Sequence, residues 1–225
     1  MTNNKSIAGY SMIELLLALV VGSVVLAAAY SSYNVVSVQF NSNSAETEIT
    51  DMAMPTLRIL ERDLKMAGYR AIDAEIESDY AKIDNPLEIT DSGTSSCCDS
   101  IRIIYDKALD ERYRTNYYIQ ERTGLNRKAL YMDRDKWSGT TWQNQFTGTI
   151  VADYIEDMQI EVEEFNDAGE PSLINMNLIF RSKSKTKKQN IFTKGNYLTG
   201  NYNFSATDNY LRKEFETSIW IRNLE

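Results

Sequence analysis

Apolar residues run almost unbroken from Met12 to Tyr30, and Glu14 is the single charge among them. Over 10–30 this pattern predicts one helix, because roughly 20 residues at about 1.5 Å each are enough to cross a bilayer. A carboxylate at the centre of such a segment costs roughly 2.5–3.5 kcal/mol, so Glu14 calls for a partner and a function. From 31 to 45 there is no charge, and Val35, Val36, Val38 and Phe40 continue a narrowing apolar stripe among Ser and Asn residues. Farther on, Leu57, Leu60, Leu64 and Ala67 recur at helical spacing, while Arg58, Glu61, Arg62, Asp63 and Lys65 fall largely on the other face. Gly68 is a natural left-handed cap, which ends the helix near Met66. Pro55 either kinks this helix or, with Asp51 near by, opens a second segment.

After Gly68 the period shortens. Runs of β-branched and aromatic residues at 100–106, 114–120, 129–132, 157–165 and 174–181, with a last one at 214–221, read as antiparallel strands. Asn166-Asp167-Ala168-Gly169 predicts a hairpin turn, Trp137-Ser138-Gly139 a second loop, and 195–208 an irregular loop rich in Asn, Tyr, Thr and Gly. Ile101, Ile103, Tyr105, Ile219 and Ile221 offer alternating apolar faces, so helix and sheet are expected to share one core. The expected fold class is α+β, a long helix with a transmembrane half and an amphipathic half packed on an antiparallel β-sheet. The expected segments are 1–9, 10–30, 31–67 and a β-rich globular domain at 68–225.

Composition narrows the function. Formal net charge is −8, and loss of a leader containing Lys5 would make it −9, so the surface as a whole does not attract nucleic acid or anionic lipid. The chain has no histidine. That removes the commonest general base, the Ser-His and Cys-His pairs and the usual zinc ligand sets. The expectation is therefore a protein that is not an enzyme, with no cofactor-binding or metal-ligating residues.

The leader sharpens this. A short polar segment ends at Gly9, and the apolar run follows with no small-residue cleavage site of the ordinary secretory kind after it. Gly9-Tyr10 followed by Ser11-Met12-Ile13-Glu14-Leu15 resembles the class III signal of type IV prepilins. The resemblance implies cleavage between Gly9 and Tyr10 by a membrane prepilin peptidase, N-methylation of Tyr10, and a role for Glu14 in subunit assembly. Three further stretches resemble the minor pilins called PilW, with the minor pseudopilin GspJ close behind: 60–70 with its Met66-Ala67-Gly68-Tyr69, 178–182, and 211–223 ending at Arg222-Asn223. By this likeness the chain is a type IV pilin-like minor pilin that helps start a type IV pilus, at or near its tip. The alternatives are a minor pseudopilin of a type II secretion system, or a membrane-anchored binding protein or enzyme. Its implied partners are other minor pilins, the major pilin, the inner-membrane assembly platform and the membrane itself. It would be a single-pass inner-membrane protein before assembly and a pilus or cell-surface protein afterwards.

Three features stand outside that likeness. Cys97 and Cys98 are adjacent, with α-carbons about 3.8 Å apart across a trans peptide, below the usual disulfide range of about 4.4–6.8 Å. A vicinal disulfide, free or buried thiols, and intermolecular or metal pairing all stay open. Arg181, Lys183, Lys185 and Lys187 alternate, which would align them on one side of an extended segment. That spacing suits DNA phosphates, but charge that keeps a strand end from edge pairing is the commoner use. Asp133 and Asp135 before Gly139, and Asn166, Asp167 and Glu170, are acidic loops without the calcium-binding EF-hand spacing, and are expected to be solvated turns.

Overall fold

The computed structural model describes residues 11–71, 85–92, 97–109, 111–194 and 204–224. One helix, α1 (Met12–Lys65), is followed by β1 (Leu87–Thr90), β2 (Ser100–Ala108), β3 (Glu111–Glu121), β4 (Lys128–Trp137), β5 (Trp142–Asp153), β6 (Ile155–Phe165), β7 (Pro171–Lys194) and β8 (Phe204–Trp220). The chain divides into two compact units, Met1–Asn43 and Ser44–Glu225.

The first unit holds the apolar start of α1, and every residue from 11 to 36 is exposed. Leu15, Leu16, Leu17, Ala18 and Ala27 to Ala29 are strong helix formers, so local propensity agrees with the apolar pattern.

In the second unit α1 is amphipathic. Ala45, Ile49, Ala53, Thr56, Leu60, Asp63 and Leu64 are buried, at steps of three and four residues. The stripe thus begins well before Leu57, which is itself only half-buried. Small residues hide its start, because Ala45, Ala53 and Thr56 carry little hydropathy yet let the helix approach the sheets. Pro55 does not interrupt α1. It withholds one N–H from the helix ladder, while next to it the Thr56 hydroxyl donates to the Met52 carbonyl at 2.7 Å.

The helix ends where expected, and the reason is tertiary as well as local. Gly68 has φ +76°, and a Cβ there would lie 2.5 Å from the Asn223 carbonyl oxygen and 2.6 Å from Leu224 Cδ2. Its N–H donates to the Ile104 carbonyl at 2.9 Å, and Asn223 Nδ2 donates to the Lys65 carbonyl at 2.7 Å. Glycine is needed both for the left-handed turn and for the close approach of the chain's last residues.

The strands form two antiparallel sheets, ordered β1-β2-β3-β4-β5 and β6-β7-β8. All six expected strands are present and each is longer than expected, although the last ends at Trp220, one residue short of its expected limit. Strands β1 and β5 are additional: β5 is rich in Gln, Asn, Thr and Gly and pairs with β4 through several register shifts, so it lacks a clean alternation. The irregular loop expected to reach Asp208 stops sooner, since Phe204 already pairs with Lys194. At the β6–β7 hairpin Asn166 Oδ1 accepts the N–H groups of Ala168 and Glu170 at 3.0 and 2.8 Å, and Gly169 takes φ +78°. One core joins the layers: Ile49, Leu60 and Leu64 of α1, Ile101, Ile103, Tyr117 and Leu130 of the first sheet, and Met158, Met176, Leu178 and Phe180 of the second. Each fully buried Leu or Ile in it contributes about 1.5–3 kcal/mol.

Candidate functional site

The chemistry expected of the N-terminus begins at Gly9 and Tyr10, which lie outside the described residues. From Ser11 on, the geometry is that of a helix start. The Ser11 carbonyl accepts the N–H groups of Glu14 at 3.0 Å and Leu15 at 3.1 Å, and its Oγ accepts the N–H of Ile13 at 3.4 Å. Ser11 and Glu14 stand at capping-box spacing, and an acidic side chain in the first turn opposes the helix dipole. Glu14 therefore has a local use in starting α1 besides any use in assembly.

What surrounds Glu14 is exposed hydrocarbon. Leu15, Leu16, Leu17, Leu19, Val20 and Val21 are each more than half exposed, and Val24, Val25 and Leu26 continue the surface. Scattered exposed apolar residues are ordinary, but a continuous surface of this kind marks a membrane or protein contact. The helix is long and apolar enough to span a membrane. In such surroundings a carboxylate can accept hydrogen bonds from an ammonium group supplied by another chain.

In the second unit the Sγ atoms of Cys97 and Cys98 lie in direct contact with each other. Lys128 Nζ lies 3.3 Å from Cys97 Sγ, and Asp157 completes a group of three side chains of metal-ligating type. Thiolates are the metal ligands, so this group has no such ligand while the two sulfurs are bonded to each other.

The basic run differs from its expected arrangement. Arg181 is buried and its guanidinium pairs with Glu156 at 3.2 Å, so it does not join the exposed Lys183, Lys185 and Lys187. Two register shifts, between Arg181 and Lys185 and between Lys185 and Asn190, break the alternation that would align them. Beyond Phe180, β7 has β8 as its strand partner among the described residues, while the Arg181 N–H donates to the Tyr154 carbonyl at 2.8 Å and the Ser184 N–H to Glu48 at 3.2 Å. Asp133 and Asp135 belong to strand β4 and not to a loop: Asp133 accepts the Gly148 N–H at 2.7 Å, and Asp135 pairs with Arg114 at 2.7 Å.

Sequence reasoning missed Asp63, which it placed on the solvent side of the helix. The residue is 1% exposed, and its carboxylate accepts from the Tyr117 hydroxyl at 2.6 Å, Arg134 at 3.2 Å and Arg62 at 2.7 Å. Burial first, then the Asp63 charge, raises the Tyr117 pKa, and Tyr105 is raised for the same two reasons. Asp63 lines an open groove of about 560 Å³ with Arg62, Tyr105, Tyr113, Arg134 and Phe146.

Residues 4–30 match the family model described as the prokaryotic N-terminal methylation motif. Comparisons with curated proteins and with solved structures returned no match. The match covers residues 4–9 of the polar leader, Tyr10, Glu14 and the apolar run, and it implies processing by a prepilin peptidase. Together with the exposed apolar helix and the antiparallel sheets that follow it in sequence, this motif supports a type IV pilin-like protein, a pilin or pseudopilin made as a membrane-anchored precursor.

Proposed function

We propose that the chain is a minor pilin that co-assembles with other minor pilins and the major pilin to initiate a type IV pilus, at or near its tip. The observation that carries this reading is a carboxylate one helical turn from the expected new N-terminus, on a helix whose apolar surface is exposed among the described residues. Once cut between Gly9 and Tyr10 and methylated at Tyr10, the subunit would sit in the inner membrane as a single-pass protein. It would then leave through the assembly platform for the cell surface.

In the fibre Glu14 pairs with the terminal amine of a neighbour. At an effective dielectric of about 20 and about 4 Å separation the attraction is on the order of 4 kcal/mol before desolvation. That is enough to select one register among otherwise similar apolar surfaces. The likeness of Met66-Ala67-Gly68-Tyr69 and of the Arg222-Asn223 ending to PilW favours the pilus over a secretion pseudopilus. The proposed segments are the leader 1–9, the membrane and fibre helix 10–30, its continuation 31–67 and the exported domain 68–225.

Cells producing Glu14→Ala are expected to cleave the leader normally, as read by the mass of the mature chain, and to show almost no fibres by electron microscopy. A wild-type fibre count would overturn the assembly role. Normal fibres with lost export of secreted enzymes, after deletion of the whole chain, would transfer the reading to a secretion pseudopilus. We further propose that the exported domain keeps Cys97 and Cys98 oxidised. Alkylation without reductant should then leave the mass unchanged, and prior reduction should add two alkyl groups.

A further inference from the structure

Charge in the later half of the chain is sorted into two blocks. From 137 to 180 there are eight acidic residues and no Lys or Arg, and from 181 to 207 there are six basic residues and no Asp or Glu. Strand β7 runs from the acidic block into the basic one and carries them to opposite ends of the Ser44–Glu225 unit. It pairs with β8 without a register shift from Leu173 to Arg181, so at about 3.3 Å per residue its start and Lys183 are about 40 Å apart. Two sets of contacts fix these ends against α1. At the first, Asn166 Nδ2 donates to the Leu224 carbonyl at 2.6 Å, beside the Asn223 side chain that caps the helix at Lys65. At the second, the Ser184 N–H and hydroxyl donate to Glu48 at 3.2 and 3.0 Å, and Lys213 pairs with Glu46 at 2.7 Å, about five helical turns earlier.

Each end gathers like charge around an exposed apolar side chain. At the β6–β7 hairpin Glu163, Glu164 and Asp167 are exposed beside Phe165, which is itself 61% exposed. At the other end the register shift between Lys185 and Asn190 makes a corner that exposes Lys185, Lys187 and Lys188, with exposed Lys183 before it and Ile191, 78% exposed, after it. The corner is held by its own bonds: the Thr186 hydroxyl donates to the Lys188 carbonyl at 2.7 Å and accepts from Asn190 Nδ2 at 2.7 Å. Opposing charge is smaller, Arg222 at the hairpin end and Glu46 and Glu48 at the corner, and Lys213 already holds Glu46. Glu163, Glu164, Asp167, Lys183, Lys185 and Lys188 make no ion pair among the described residues. Like charges held together repel, and each end is relieved by meeting the opposite sign. Separated by about 40 Å, the two ends cannot meet within one copy. A contact between different patches on two copies is heterologous and adds copies in a row.

We propose that the acidic β6–β7 hairpin of one copy docks head to tail on the basic corner of a second copy, with Phe165 and Ile191 buried between the charges. A contact this small is weak, so it forms where copies are concentrated and leaves dilute protein monomeric. It needs two exported units and no fibre, and so stands or falls apart from the assembly role of Glu14. The experiment mixes unlabelled and isotope-labelled full-length protein at high concentration in detergent micelles and adds a carbodiimide. The reagent joins a lysine amine to a carboxylate as an amide and takes up the released water as a urea. Mixed-isotope peptides linking 163–170 to 183–188 are expected, and should fall about tenfold when the salt is raised to about 1 M. Glu163→Lys with Glu164→Lys, or Lys183→Glu with Lys185→Glu, should each cut the links about tenfold, and all four changes together should restore them, with one melting temperature throughout. Absence of mixed-isotope links in the wild type, or links that persist in both reversed variants, would overturn the proposal. So would protection of Lys183 and Lys185 from acylation by duplex DNA or phosphatidylglycerol vesicles without any link between copies, which would make the corner's partner a polyanion.

Discussion

At the scale of single residues, Asp63 shows what burial demands of a charge. A carboxylate taken out of water is tolerated only when its oxygens are bonded, and Tyr117, Arg134 and Arg62 together do this. Tyr117→Phe leaves the ring in the core but removes a hydrogen bond to a charged group, and should cost about 1.5–3 kcal/mol in a urea denaturation. The same side chain sets an alkaline limit. Its folded pKa is raised above the unfolded value near 10, so its contribution is fully present below about pH 10 and is lost as pH rises toward the folded value. Unfolding midpoints at pH 9 and pH 11 should therefore differ in the wild type and differ less in Tyr117→Phe.

Among the elements, the part of α1 after Ser44 is the one on which both sheets pack. Leu60 and Leu64 are fully buried and Leu57 is half-buried, although all three belong to one sequence pattern. Leu60→Ala should cost about 2–5 kcal/mol and lower the melting temperature markedly, whereas Leu57→Ala should cost clearly less. Equal losses at the two positions would show that the buried stripe is misassigned. The end of β7 is the opposite kind of element, with exposed Lys183, Lys185 and Lys187 and one strand partner among the described residues, a pattern that discourages pairing with a further strand.

For the whole molecule, the Ser44–Glu225 unit contains a single core built from helix and sheets together. Removing the helix would take Ile49, Leu60 and Leu64 out of the core and expose the faces they cover, several times about 1.5–3 kcal/mol against a total stability near 5–15 kcal/mol. A fragment starting at Asn41 should fold as a soluble monomer with a cooperative thermal transition, and one starting at Tyr69 should not fold. Cooperative unfolding of the shorter fragment would reduce α1 to a stalk.

The sequence by itself determined what depends on neighbours along the chain. The apolar period set α1 and its end at Gly68, Asn166 to Gly169 set a hairpin, and the leader with Glu14 pointed to a pilin-type signal. Tertiary structure decided what depends on residues far apart. Asp63 reads as a solvent-facing helix residue until Tyr117 and Arg134 arrive from β3 and β4. Arg181 reads as one of an alternating row until bulges turn the row and Glu156 takes its charge. Strand β5, poor in alternating residues, is a strand because β4 supplies its hydrogen bonds. The physical reason is common to all three: periodicity reports which face of an element is apolar, whereas the pairing of a buried charge or an unpatterned strand is set by register between segments that the chain brings together only on folding.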